Sequence, residues 1–134
     1  GLTTAQAFID QGADVILPVA GQVGEGAARA ALDSGTASII WVDSDGYDTL
    51  SPDFRPVLLT SVLKNTGSAV VEIVKTSIDD TFDNAPFIGT LENGGVGIAP
   101  FHDLAPRVSS AEIDQLRSDI VAGTIVVTSP STPR

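Results

Sequence analysis

The sequence predicts an α/β fold built on a parallel sheet, and three observations on residues 13–46 support this. Two apolar runs, Val15–Ala20 and Ser38–Val42, are separated by an alanine-rich helical stretch, which is the strand–helix–strand pattern of a parallel unit. Both runs are continuously apolar, as expected of strands covered on both faces. The first run leads into a glycine cluster, and the second stops on Asp43-Ser44-Asp45. Because open α/β sheets hold ligands beyond the carboxyl ends of their strands, this edge is the predicted binding site.

Two helices and a loop accompany these strands in the first half of the chain. Leu2–Gln11 carries apolar residues at helical spacing, and Gly12 follows where a C-cap is expected. Glu25–Asp33 is the second predicted helix, and it ends at Gly35. The segment Asp45–Pro56 is rich in Asp, Gly, Ser and Pro, which predicts a loop.

A short segment and a long helix are predicted next. Val57–Ser61 is predicted to be a short strand or a crossover. Leu63–Ile78 is predicted to be a helix, because the spacing and length of its apolar pattern outweigh its β-branched content. This places Lys64 at the positive end of a helix, where a cation is unfavourable. One interpretation is that a ligand or Asp43 compensates the ammonium group, and the other is an exposed lysine.

The last third of the chain predicts short strands and one more helix. An Asn-Gly turn signal separates two strand patterns, and a serine cap precedes an amphipathic stretch that ends at a glycine. Trp41 and Phe87 are single aromatic residues in apolar strands, so both are expected in the core. The predicted elements are strands Phe87–Leu91 and Gly95–Ala99, a helix Ser110–Ala122 capped by Ser109 or Ser110, and a final strand Thr124–Thr128.

Composition narrows the classes of function. Of the 134 residues 43% are hydrophobic, enough for the core of one domain or of part of a larger one. Seventeen acidic and seven basic residues give a net charge of −10, so binding to nucleic acid or anionic lipid is not expected. The absence of cysteine excludes disulfides, thiolate metal sites and cysteine nucleophiles. The first residues have the pattern of the middle of a helix that runs into a strand. We therefore expect that the amino-terminal part of a longer protein is missing.

The candidate ligand-binding residues lie at the predicted strand ends. The glycines of the cluster, Gly21, Gly24 and Gly26, read G-x-x-G-x-G rather than the dinucleotide fingerprint G-x-G-x-x-G, so a Rossmann cofactor site is disfavoured. They either present backbone amides to a ligand or only form a tight turn. Asp43 and Asp45 alternate, which would direct both carboxylates to one side, where they could accept hydrogen bonds from sugar hydroxyls. Helix capping, a solvated loop and a metal site are the alternatives.

No catalytic residue, metal site or cofactor is predicted. His102 is the only histidine, and no serine or cysteine nucleophile motif stands beside it. We therefore expect a loop histidine that is hydrogen-bonded to Asp103 or to a backbone carbonyl.

Six motifs together resemble the basic-membrane-lipoprotein family of substrate-binding proteins, which includes purine nucleoside receptors of ABC importers. They occur in the family's order and cover nearly the whole chain. The motifs are QGADVI at 11–16, AGQVGEGAARAA at 20–31, VDSD at 42–45, LTSVLKN at 59–65, GGVGIAPFHD at 94–103 and IVAGTIVV at 120–127.

The resemblance implies the two-lobed fold of type I periplasmic binding proteins, with this chain as a parallel-sheet sandwich lobe and most of the N-terminal lobe absent. Residues 1–60 would be an α/β segment of the second lobe. Residues 61–90 would hold the hinge crossover and a first-lobe helix. Residues 91–134 would hold the return crossover and the C-terminal helix and strand.

The resemblance also implies roles for individual residues. Gly21 matches the glycine against which the nucleoside lies, and Lys64 matches a lysine on the ribose side. Asp43 matches the aspartate that holds the ribose hydroxyls, with Asp45 as the near alternative. The family's purine-stacking and base-reading residues would precede Gly1. The chain departs from the family's pattern at two places, and either change could alter which ligand fits. Trp41 replaces a typically small residue, and Gly46-Tyr47 stands where a glutamine is common in the family.

The predicted function is therefore capture and not catalysis. The chain is predicted to be a fragment of an extracytoplasmic lipoprotein, lipid-anchored at the cell membrane, that captures a nucleoside-like ligand between two lobes. Its partners would be this small molecule and an ABC importer permease, and it would meet the membrane only through an anchor outside this chain. The alternatives are a ligand-sensing regulator of the same fold and a nucleoside-processing enzyme. Without its first lobe, the fragment is expected to expose apolar surface and to self-associate.

Overall fold

A four-stranded sheet in the order β1-β2-β3-β4 organises the chain in the computed structural model, which describes residues 1–129, with Arg107 described only in its backbone. The α-helices are α1 Leu2–Asp10, α2 Glu25–Ser34, α3 Gly46–Thr49, α4 Thr66–Ile78 and α5 Ser110–Val121. The strands are β1 Val15–Ile16, β2 Ser38–Asp43, β3 Leu58–Lys64 and β4 Val96–Ile98. Short 3-10 helices occupy Gly21–Gly24, Pro52–Val57 and His102–Arg107.

The first three strands run parallel, and the sequence predicts this for β1 and β2. In register, Ile16 lies opposite Ile39, and Trp41 lies opposite Ser61. An irregularity between Ile39 and Ile40 shifts the β2–β3 register by one residue. The fourth strand is antiparallel: the Ala99 amide donates to the Ser61 carbonyl at 2.9 Å, and the Asn65 amide to the Gly95 carbonyl at 3.0 Å, so residue numbers fall on one strand as they rise on the other.

Small residues allow α2 to pack closely on the sheet and on α1. The alanines of α2 face inward and are almost completely buried. A side chain at Gly26 would place its Cβ 2.5 Å from the Leu2 amide, so this glycine permits the close approach of α1. The buried hydrophobic cluster comprises Ala5, Ala27, Ala28, Ala30, Ala31, Ala37, Ile39, Trp41, Val57 and Leu58.

Several predicted element bounds are wrong, and hydrogen-bonding neighbours explain the differences. The first strand covers only Val15–Ile16 of the predicted Val15–Ala20. The third strand continues to Lys64, because Val62 and Leu63 pair in register with β2, and α4 begins at Thr66 instead of Leu63. Pairing with a neighbour overrides the local helical pattern there.

Two predicted strands are absent from the described part of the chain, and one is shortened. Phe87–Leu91 and Thr124–Thr128 are irregular, and Gly95–Ala99 is reduced to Val96–Ile98. A strand needs a ladder of hydrogen bonds to a neighbour, and within residues 1–129 neither irregular segment belongs to the sheet. The Val96 amide of β4 donates to the Thr90 carbonyl at 3.4 Å, but this bond alone does not form a ladder. The predicted helix from Ser110 is confirmed, with Ser109 as its N-cap.

The chain divides into two compact units, which we describe separately. The first comprises Gly1–Leu63 and Ile98–Val108, and it contains the buried cluster. The second comprises Lys64–Gly97 and the chain from Ser109 onward. The chain passes between the units after Leu63, Gly97 and Val108. The lobe boundaries at residues 60 and 90 stay predictions.

The second unit exposes much apolar surface, as expected from the sequence. Neither α4 nor α5 contains a buried residue. Val70 and Ile78 of α4 are 60% and 75% exposed, and Phe87 is also exposed, so its predicted place in the core is wrong. Trp41, the other aromatic residue expected in the core, is buried in the first unit. Within residues 1–129 no helix has both the length and the apolar character needed to cross a membrane.

Candidate ligand-binding site at the carboxyl edge of the sheet

Two candidate site residues, Gly21 and Asp43, lie near the carboxyl ends of adjacent parallel strands in the first unit. Asp43 is the last residue of β2, and Gly21 begins the 3-10 helix that follows β1. Both are exposed, and both have left-handed backbone conformations, with φ of +70° for Asp43 and +54° for Gly21. Parallel pairing of β1 with β2 places these two ends on the same edge.

Asp43 holds an unusual backbone conformation for a residue with a side chain. The left-handed region is sterically costly for residues other than glycine, and aspartate and asparagine are the best tolerated. Such conformations concentrate at functional sites, where the surrounding structure maintains them. At this position the chain turns sharply after β2 and leaves the carboxylate exposed at the sheet edge.

Asp45 has a different environment from Asp43, although one residue separates them. Its side chain is only 18% exposed and caps α3, because Oδ1 accepts a hydrogen bond from the Tyr47 amide at 3.0 Å. Its Oδ2 lies 2.8 Å from Nε2 of His102. Helix capping, one of the alternatives for these aspartates, is therefore found at Asp45.

Ser61 secures the same loop from beneath. Its hydroxyl is completely buried on β3 and accepts a hydrogen bond from the Gly46 amide at 3.0 Å. The hydroxyl also lies 3.5 Å from Oδ1 of Asp45, at the limit of a hydrogen bond. The first turn of α3 is thus tied to the central part of the sheet.

His102 pairs with a more distant carboxylate than predicted. The expectation of Asp103 or a backbone carbonyl is wrong, since the ring nitrogen contacts Asp45 and the Asp103 carboxylate instead accepts from the Tyr47 hydroxyl at 3.3 and 3.4 Å. The His102 and Tyr47 rings stack with centroids 4.0 Å apart and an interplanar angle of 13°. A turn with φ of +40° at His102 brings its ring over the 45–47 loop. The two segments are remote in sequence, so no local pattern could have indicated this pair.

Tyr47 is also held by Arg55. The guanidinium carbon lies 4.2 Å from the Tyr47 ring centroid, a cation–π distance, and Nε donates to the Tyr47 carbonyl at 3.3 Å. At about 4 Å each face of a ring has room for one flat group, so Arg55 and His102 occupy opposite faces. Tyr47 therefore has no open face on which a ligand could stack.

Trp41 supports the edge from inside the core. A Cβ on Gly24 would lie 3.0 Å from the Trp41 indole, and a Cβ on Gly46 would lie 2.9 Å from its Cβ. Both glycines therefore allow backbone to pack directly on this side chain. The indole is buried beneath the two turns of the binding edge.

Lys64 belongs to the second unit, and its position differs from the prediction. It ends β3 instead of beginning a helix, and it directly follows Leu63, the register partner of Asp43. It therefore lies before the N-cap of α4, Asn65, and not within the helix. Its side chain is exposed and borders a cavity of about 170 Å³ within its own unit, beside Asn65, Phe87 and Gly89.

The polar groups at this edge suit hydrogen-bonded recognition of a small molecule. An exposed carboxylate accepts hydrogen bonds from hydroxyl groups, and an exposed glycine leaves space for a ligand against the backbone. In the described range 1–129, no three histidine or acidic residues are grouped so that they could hold a metal ion.

Solved structures with a similar fold include two solute-binding proteins and a transcriptional activator. A solute-binding protein of an ABC transporter system from Aeropyrum pernix superposes with a TM-score of 0.74 at 20% identity, over 96% of this chain and 44% of that one. One from Conexibacter woesei gives 0.67 at 16% identity, over 95% and 41%. A transcriptional activator of the comK gene from Bacillus halodurans gives 0.68 at 18% identity, over 90% and 40%. The chain thus spans about two fifths of each of these proteins.

The family follows from the sequence match. The family model Bmp, described as ABC transporter substrate-binding protein PnrA-like, matches residues 1–130, and the chain belongs to this family. Members are extracytoplasmic substrate-binding proteins and are generally not enzymes. The match agrees with the resemblance inferred from the six motifs.

Proposed function

We propose that this chain supplies the sugar-binding edge of an extracytoplasmic receptor that delivers a nucleoside-like ligand to an ABC importer. The observation that carries the proposal is the position of Asp43, which ends β2 at the carboxyl edge of the sheet with an exposed side chain and a left-handed backbone. Asp45, the near alternative, is only 18% exposed and caps α3. Asp43 is therefore the aspartate proposed to accept hydrogen bonds from the ligand.

The chemistry of Asp43 favours a ligand with adjacent hydroxyl groups. The two oxygens of a carboxylate accept from two neighbouring hydroxyls, and charged acceptors make stronger hydrogen bonds than neutral ones. Gly21 stands on the same edge without a side chain, so the flat part of a ligand could lie against its backbone. Lys64 is proposed as a further contact on the ribose side, in accord with the family resemblance.

The finer features of the function concern the whole protein. We propose that two lobes close over the ligand, that a permease receives it, and that a lipid anchor retains the receptor at the membrane. Ligand-driven domain closure is a common motion around a buried site. Turnover is not part of the proposal, and nucleoside recovered unchanged after prolonged incubation with the protein is the expected result.

Calorimetric titration of the intact protein tests the ligand and the residue together. Guanosine, adenosine, inosine, riboflavin and ribose are compared, and at least one nucleoside is expected to bind. Asp43→Asn preserves size but removes the charge, and it should weaken binding about 10- to 100-fold, the value of a charged hydrogen bond. Asp33→Asn is the matched control because Asp33 forms an exposed pair with Arg29 on α2. Absence of nucleoside binding, or equal affinities of the two variants, would contradict the proposal.

A regulatory role is the second candidate, because the transcriptional activator from Bacillus halodurans shares this fold. Both roles require ligand binding, so titration does not separate them. Measuring the uptake of labelled ligand by cells that lack the protein separates the two roles. An importer receptor predicts lost uptake, whereas a sensor predicts altered transcription with uptake retained.

A further inference from the structure

The segment Ile98–Val108 is the only part of the described chain that returns to the first unit after the second unit has begun. Its beginning is fixed to β3 by two hydrogen bonds. The Ala99 amide donates to the Ser61 carbonyl at 2.9 Å, and the Thr60 hydroxyl donates to the Ala99 carbonyl at 2.7 Å. Thr60, Ser61 and Ala99 are all buried, so this anchor is shielded from water.

Three residues after Ala99, the same segment contacts the loop formed by residues 43–47. His102 Nε2 lies 2.8 Å from Asp45 Oδ2, and its ring stacks on Tyr47. The Tyr47 hydroxyl in turn lies 3.3 Å from an Asp103 oxygen. The return segment therefore connects the interior of β3 to the loop that starts at Asp43.

We propose that His102 is a positioning residue for the ligand edge, which acts through Asp45 to hold Asp43 in its ligand-binding orientation. The inference rests on the proposed function, in which Asp43 contacts the ligand. Asp43 and Asp45 are separated only by Ser44, so the position of one constrains the other. The contacts of His102 are with the loop: its Nε2 is directed at Asp45, and its ring stacks on Tyr47.

The remaining contacts of the loop explain why His102 affects position more than folding. Asp45 still caps α3 through the Tyr47 amide, and Gly46 still binds the buried Ser61 hydroxyl, when the histidine is removed. The histidine side chain is also partly exposed, so its loss leaves no large cavity. The loop should therefore stay folded while the turn at residues 43–45 gains freedom.

Hydrogen exchange of the intact protein without ligand tests the positioning directly. His102→Leu removes the donor and the ring, whereas His102→Gln keeps a donor near the position of Nε2. The Ser44 amide, which donates to the Val42 carbonyl at 2.9 Å within the turn, is expected to exchange about tenfold faster in His102→Leu and nearly as in the wild type in His102→Gln, because local opening of the turn becomes easier. Arg29→Gln, which removes an exposed pair on α2, is the control and should not change the exchange of this amide. Unchanged exchange in His102→Leu would overturn the inference whether or not a nucleoside binds.

A double-mutant cycle with the best-bound nucleoside tests the route through Asp43. His102→Leu alone should weaken binding about tenfold, and the same change in an Asp43→Asn background should weaken it less than about twofold, because coupled residues are not additive. A full tenfold effect in that background would show that His102 acts elsewhere and would overturn the inference. An equal loss of nucleoside affinity in His102→Gln and His102→Leu would overturn the role of the hydrogen bond from His102 to Asp45. If no nucleoside binds the wild type, the proposed function fails, and the exchange experiment alone decides the positioning role.

Discussion

The side chain of Trp41 packs directly against the backbone of Gly46, where an added Cβ would lie 2.9 Å from both Cβ and Cγ of the tryptophan. This contact couples the buried core to the loop that carries Asp45 and Tyr47. The binding edge is thus supported by an aromatic side chain beneath it and by His102 beside it.

Gly46→Ala is expected to destabilise the first unit by about 1–3 kcal/mol, because the new methyl group meets Trp41 and Leu58 in a packed core. Gly67→Ala is the control, since a Cβ there has no neighbour within 4 Å and alanine favours the helix α4. Urea unfolding followed by the fluorescence of Trp41 reports on the first unit, and Gly67→Ala in the second unit should leave that transition unchanged. Equal stabilities for wild type and Gly46→Ala would contradict the close packing.

Asp43→Gly is expected to raise the stability of the fold and to weaken ligand binding. Glycine adopts a φ of +70° without the steric cost that aspartate carries, so the free energy of unfolding should rise by about 0.5–1 kcal/mol. Nucleoside affinity should fall, because the carboxylate is lost. Asp43→Asn keeps the side chain and should lose affinity without the gain in stability. Thermal unfolding and calorimetry of the two variants check this, and a less stable Asp43→Gly would speak against the strain.

The 134-residue chain is expected to self-associate through the apolar surface of α4. Val70 and Val74 are 60% and 51% exposed and lie one turn apart on the same face. Light scattering should therefore give a mean mass above the 13.8 kDa of the monomer. The variant Val70→Glu/Val74→Glu should lower this mass, and Ser68→Glu, which adds a charge at an exposed position of the same helix, should lower it less. A monodisperse monomer at high concentration would be the contrary result.

Local patterns predicted those parts of the fold that depend on neighbours in sequence. The parallel pair of β1 and β2, the alanine-rich α2 and the serine-capped α5 all have periodicity or capping signals within a few residues. The strand predicted near Phe87 rests on an apolar pattern beside an Asn-Gly turn, and the one near Thr124 on apolar content. Both predictions are wrong, because strand formation depends on a pairing partner that no local pattern reveals. The same dependence extended β3 through Leu63, against a helical pattern.

The sequence by itself determined the α/β class, the family, and the placement of Gly21 and Asp43 at the ends of adjacent strands. These follow from composition, periodicity and motifs, which are properties of the chain read in order. Only the tertiary structure decided that Asp45 is a capping residue paired with His102, 57 positions away, and that Trp41 is buried beneath Gly46. The physical reason is that hydrogen bonding and burial depend on which distant segments the folded chain brings together, and two carboxylates with the same local spacing acquire different environments only then.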